Sequence, residues 1–104
     1  MTQQQMFRQG DVAVVRAANM PRAAKQRERE NGRVVLAHGE VTGHAHVVTG
    51  PAELFDADRQ TYLRVGEGAE IRHEEHSTIP LPAGIYRVIR QREYSPEEIR
   101  NVAD

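Results

Sequence analysis

Val34-Val35-Leu36-Ala37-His38, then Gly39-Glu40-Val41-Thr42-Gly43, then His44-Ala45-His46-Val47-Val48, reads as a β-hairpin. Two apolar runs of strand length flank a glycine-bounded loop of a size common in hairpins. Closing that loop sets His38 opposite His44, Leu36 opposite His46 and Val34 opposite Val48. Opposed residues share a face, as do alternate residues along a strand. Val34, Leu36, His38, His44, His46 and Val48 are therefore expected on one face, and the apolar members mark it as inward. Cross-strand β-carbons lie about 5 Å apart and i, i+2 neighbours about 6.5 Å apart. From such separations imidazoles can converge on one ion at about 2.0–2.1 Å.

Outward from the hairpin the pattern stays β-rich. Residues 1–7 are a polar, Gln-rich lead expected to fray. Gly10-Asp11 opens a short buried strand, Val12–Val15. Asn19, Pro21 and the run Ala23–Glu30, stopped by Asn31-Gly32, suit a short helix or an ordered excursion over 19–31 equally well. Weaker strands follow at Glu53–Asp56 and Thr61–Val65. A long extended segment is expected over 69–81, and a clear strand runs from Ile85 to Arg90. Ser95-Pro96-Glu97-Glu98 is a capping box that opens a short C-terminal helix over 96–103. Six or seven short strands with regular turn signals predict one mainly β domain over 1–104, a small antiparallel β-sandwich or barrel.

Composition narrows the chemistry. The 104 residues suffice for one core. The net charge of −1 gives no bulk attraction to nucleic acid or anionic membrane. Without cysteine there are no disulfides, thiolate metal sites or Cys nucleophiles. No apolar run approaches a membrane span, and MTQQQMFRQGD does not read as a signal peptide, so the expected location is cytoplasmic. No nucleophile elbow or phosphate loop is present, and Gly66-Glu67-Gly68 reads as a plain turn.

All five histidines lie between residues 38 and 76. His73-Glu74-Glu75-His76 forms the second cluster. Alternation with Ala69, Ile71, Ile79 and Leu81 turns His73 and Glu75 inward and Glu74 and His76 outward; a bulge would reverse His76. The spacing is not that of the zincin helix motif. Several inward histidines are costly to bury unpaired. A shared divalent transition metal, Zn, Fe, Mn or Ni, suits imidazole and carboxylate donors. His44 and His46 are the leading ligands, and His38, His73, His76 and Glu75 compete for the remaining positions. With an open position the ion would support hydrolase or oxygenase-like chemistry on a small or anionic substrate. Glu40 or Glu75 is then the nearby general base, and Arg87, in step with Ile85 and Ile89, meets the substrate.

Two other readings stay open. One is a non-enzymatic module binding protein or RNA, helped by the basic 22–33 segment. The other is metal-free cleavage of a phosphodiester by a His/His acid–base pair. A homodimer is compatible with all of them.

GEVTGHAH (39–46) resembles the first motif of the cupin superfamily, in which a Gly-led turn enters His-x-His, with a Glu a few residues later. LPAGIY (81–86) resembles the Pro-x-Gly turn of the second motif. The likeness covers about half the chain. It implies a double-stranded β-helix with a three-His, one-Glu metal site and matches His44 and His46 to ligands. The chain departs from the pattern at three points. Gly39 is one residue too close to His44, the next Glu after His46 is Glu53, and Arg87 stands where the second motif has its His.

Overall fold

In the computed structural model, which describes residues 5–39 and 44–90, every regular element is a β-strand. In chain order these are β1 (Met6–Gln9), β2 (Val12–Ala17), β3 (Lys25–Gln26), β4 (Val34–His38), β5 (Ala45–Thr49), β6 (Ala52–Ala57), β7 (Gln60–Val65), β8 (Ala69–His73), β9 (His76–Leu81) and β10 (Gly84–Arg90). All pairings are antiparallel. A six-stranded sheet has the order β1-β2-β10-β7-β6-β3, and a four-stranded sheet the order β4-β5-β8-β9.

One hydrophobic core joins the two sheets. Val12, Val14, Leu54, Leu63 and Tyr86 enter it from the larger sheet, and Val34, Leu36, Val48, Ile71 and Leu81 from the smaller. This is the sandwich arrangement, and no ladder among the described residues closes it into a barrel. Strand β2 is buried on both faces: Val12 and Val14 face the main core, while Ala13 and Val15 pack with Ile89 and Met6 on the opposite face. That double burial explains its unbroken apolar run. Tyr86 is fully buried, and its hydroxyl donates to Pro82 O at 2.6 Å. Pro80 sits in β9, an edge strand, where its missing N–H costs least.

The structure corrects several expectations. Met6 and Phe7 are not frayed; they pair with Val15 and Val14. Of the two alternatives over 19–31, the ordered excursion forms and the helix does not. Lys25 and Gln26 instead pair with Asp56 and Phe55 at the edge of the larger sheet. Arg27 Nε donates to Asp56 Oδ2 at 2.8 Å, and this guanidinium holds the Asp56 carboxyl below its ordinary range. Helix propensity differs by only about 0.7 kcal/mol per residue between ordinary residues, so sheet-edge pairing decides the outcome. Residues 69–81 are a hairpin with a Glu74-Glu75 turn, not one extended segment. The expected C-terminal helix over 96–103 lies outside the described residues. Among the described residues no helix is long and apolar enough to cross a membrane.

Leu63 lies in central strand β7 with no exposed surface. Leu63→Ala is expected to lower unfolding free energy by about 2–5 kcal/mol, read as a fall in the urea midpoint at unchanged m-value.

Candidate metal centre

The strand ladders bring the histidines together. β5 pairs with β8 so that Val47 faces Arg72 and Val48 faces Ile71. Continuing this register sets His46 beside His73, and His44, just before β5, across from Glu75. Across the β8–β9 hairpin, His73 faces His76 directly. Between Ile71↔Ile79 and His73↔His76, β9 carries one residue more than β8. This bulge turns His76 to the side of His73 and reverses the outward orientation expected from alternation. Ring centroids are 4.4 Å apart for His46–His73, 4.8 Å for His73–His76, 5.7 Å for His46–His76 and 5.8 Å for His44–His73. Imidazoles bound at ~2.0–2.1 Å to one tetrahedral ion would have centroids about 5.3 Å apart.

The rings line a pocket of about 260 Å³ at one end of the sandwich, with Asp11, Gly39 and Glu75. Asp11 arrives from the larger sheet at the tip of the β1–β2 hairpin, where Gln9 faces Val12 across a two-residue Gly10-Asp11 turn. Gly10 has φ +59°, and a Cβ there would stand 2.8 Å from His76 Nε2. Glycine is thus required twice over, by backbone conformation and by the approach of the ring.

Gln9 sets the chemistry of His46. It is buried, and its Nε2 donates to Ser77 O at 2.8 Å and Ile71 O at 3.2 Å. With both amide hydrogens used, Oε1 must face His46 Nδ1, at 2.9 Å. The hydrogen on His46 is therefore assigned to Nδ1, and the Nε2 lone pair points into the pocket. Asp11 Oδ1 lies 3.3 Å from that Nε2. Burial first, and then the His73 ring, push His46 below its ordinary value of 6.5; Asp11 pulls the other way.

The opposite assignment holds at His73. The Glu75 backbone N–H donates to His73 Nδ1 at 3.0 Å. His44 Nδ1 is buried without a hydrogen-bond partner, 3.5 Å from Glu75 Oε1. One donor atom each from His44, His73 and Glu74 lie within 4.8 Å of one another. The Glu74 carboxyl is held below its ordinary range, by its own backbone N–H first and then by that of Ala45, with His44 and His73 adding to the effect.

Of the residues singled out in the sequence, His44, His46, His73, His76 and Glu75 line this pocket. His38 does not. The register of β4 against β5 shifts between Val35 and Ala37, so Leu36 is an extra residue, Ala37 faces His46, and His38 faces Ala45. His38 thus turns to the other side, exposed, with its Nε2 2.8 Å from Glu30 Oε1. Arg87 keeps step with Ile85 and Ile89 as expected, but faces Val15 on the side of the larger sheet away from the main core. Glu40 lies outside the described residues. Asp11 and Gln9 were not among the sequence candidates. Recognising Gln9-Gly10-Asp11-Val12 as a hairpin turn would have placed Asp11 at a tip, though not beside the histidines.

Two outcomes test this geometry. Gln9→Leu leaves His46 Nδ1 and two carbonyls unpaired, so it is expected to destabilise the fold by about 1–3 kcal/mol in urea titration. In chelator, stability should fall as pH drops from 7.5 to 5.5, because the unfolded chain binds the His46 proton first. The slope from one such histidine is at most about 1.4 kcal/mol per pH unit. In His46→Asn, whose amide can still donate to Gln9, the slope should be shallower.

No curated protein and no solved structure matches the chain significantly. A family model described as "Domain of unknown function (DUF8820)" matches residues 8–91, a span that contains every residue lining the pocket. The chain belongs to this DUF8820 family.

Proposed function

We propose that the protein is a small metal-binding β-domain whose pocket takes one divalent first-row transition ion. The observation that carries this reading is the contact between His46 and Asp11. With Nδ1–H committed to Gln9, the Nε2 lone pair meets a carboxylate oxygen at 3.3 Å. Two acceptors at that distance repel unless a proton or a cation lies between them. Burial and the neighbouring imidazoles oppose the proton, Asp11 favours it, and the balance lies against it. A cation fits: two donors bound at ~2.0–2.1 Å to one tetrahedral ion stand about 3.3–3.4 Å apart.

The candidates for the remaining positions are His44, His73 and His76, with Glu74 near His44 and His73. This set of nitrogens and carboxylate oxygens suits Zn, Fe, Mn or Ni. The cupin-like reading belongs to the same proposal, with His44 and His46 on the hairpin strand. Its other ligands come from the β8–β9 hairpin rather than from the strand after the LPAGIY turn.

Bound in such a site, a divalent ion would polarise a substrate oxygen and bring the pKa of a bound water towards neutrality. The protein's residues supply the rest. Gln9 holds His46 in one tautomer, Asp11 offsets cationic charge, and Glu75, more than half exposed at the rim, can accept a proton. Among the described residues the pocket lining contains no Lys or Arg, so affinity for an anionic substrate would depend on the ion and on imidazole N–H groups.

Protein purified without an affinity tag is expected to carry close to one equivalent of metal by elemental analysis. A chelator should lower its melting temperature and metal readdition should restore it. The His46→Asn/His76→Ala double variant should fold but hold no stoichiometric metal. Wild type that binds no divalent ion under any condition would overturn the reading and favour a metal-free acid–base site.

A further inference from the structure

The histidines of this pocket are not equivalent. His46 and His73 have ring centroids only 4.4 Å apart, yet the fold holds them in opposite tautomers. On His46 the Gln9 carbonyl takes the Nδ1 hydrogen and frees the Nε2 lone pair. On His73 the Nδ1 lone pair is already engaged by the Glu75 backbone N–H. A neutral imidazole that accepts at Nδ1 carries its hydrogen at Nε2. His73 therefore has no lone pair to offer unless its bond to the Glu75 backbone breaks. Its presence with His44 and Glu74 in a group of closely spaced donor atoms does not make it a ready ligand.

The Nε2–H of His73 has an address. Among the described residues it has no hydrogen-bond partner, although the side chain is only 5% exposed. Gly39 lies close by: a Cβ there would stand 3.3 Å from His73 Nε2 and 3.1 Å from His44 Cβ. Gly39 does not have a positive φ, so its backbone does not require glycine. The missing side chain lets the chain pass close to His44 and His73, where a Cβ would be crowded. A recessed, unpartnered donor lining the same pocket as the lone pair of His46 is arranged to hold an oxygen acceptor next to a cation.

We propose that His73 is the pocket's hydrogen-bond donor rather than a metal ligand, and that the site takes a small carboxylate-type oxyanion between the ion and His73 Nε2–H. The metal half of this assignment rests on the proposed function; the donor role of His73 rests on the fold alone. His44, His46, His76 and Asp11 are then the pocket donors left to the ion, and His73 selects for an acceptor oxygen.

The test has three readouts. Long-range ¹H–¹⁵N spectra of the metal-free protein should show His73 protonated at Nε2 and His46 at Nδ1; His73 protonated at Nδ1 overturns the assignment. His73→Gln, which keeps an N–H near the Nε2 position, should bind Zn(II) nearly as tightly as wild type. His46→Asn should lose about 100-fold or more, beyond the 10–100-fold typical of residues that only support a ligand. Equal losses in the two variants would make His73 a ligand and overturn the proposal. Acetate titrated into the zinc-loaded protein should bind wild type and His73→Gln alike, and His73→Phe about tenfold more weakly. Acetate binding that is absent from wild type, or unchanged in His73→Phe, overturns the oxyanion assignment. If wild type takes up no metal, the proposed function fails separately, while the spectra and an acetate titration of the metal-free protein still decide the role of His73.

Discussion

One primary amide, that of Gln9, ties the two sheets together where the histidines meet. β1 lies at the edge of the larger sheet and β9 at the edge of the smaller. The bulge in β9 breaks the regular exchange of hydrogen bonds between Ile71 and His73. Gln9 donates to the carbonyls of Ile71 and Ser77, which flank that break. Its remaining oxygen fixes His46. A buried amide with all three interactions satisfied has one orientation, and that orientation determines which nitrogen of His46 faces the pocket. Neither the bulge nor the tautomer is independent of this residue. The same hairpin delivers Gly10, whose lack of a side chain admits the His76 ring, and Asp11, the carboxylate nearest His46 Nε2.

Much of the fold was legible because antiparallel strands announce themselves locally. Apolar runs such as Val12–Val15 and Ile85–Ile89, punctuated by glycine and proline, became strands. The His44-x-His46 alternation put both residues at the pocket because β5 is regular. Parity failed where a strand was irregular. A single extra residue at Leu36 reversed His38, and a single extra residue in β9 brought in His76. A bulge leaves no mark in an apolar run, since Leu36 is as well buried in the bulge as it would be in register. A one-residue shift nonetheless changes which side chains share a face.

Arg87 and Asp11 failed for a different reason. The parity of Arg87 with Ile85 and Ile89 was right, but both faces of this sheet bury apolar residues. An apolar partner therefore does not say which face is the core, and Arg87 shares the face of the smaller cluster. Asp11 and Gln9 are close to the histidines only through tertiary structure: 35 positions separate Asp11 from His46. Nothing in a local window links a turn tip in one sheet to a strand in the other. The choice between a helix and an ordered excursion over 19–31 stayed open for the same reason, because pairing of Lys25 and Gln26 with β6 is a long-range event that propensity does not see.

The division between His46 and His73 follows from where hydrogen bonds are already spent. A histidine in water samples both tautomers, and a ligand must select one. Here each ring is committed before any ligand arrives, one by a side-chain carbonyl and the other by a backbone N–H. The backbone commitment is the harder to alter. Glu75 N–H belongs to a two-residue turn whose ends are fixed by the His73–His76 pair, so no side-chain substitution at Glu75 other than proline removes it. The side-chain commitment depends on Gln9, a residue of the opposite sheet. Any motion that separates β1 from β9 therefore releases His46 while leaving His73 set. The lone pair that would hold a cation is thus coupled to closure of the sandwich, whereas the N–H that would hold an acceptor is built into a single hairpin.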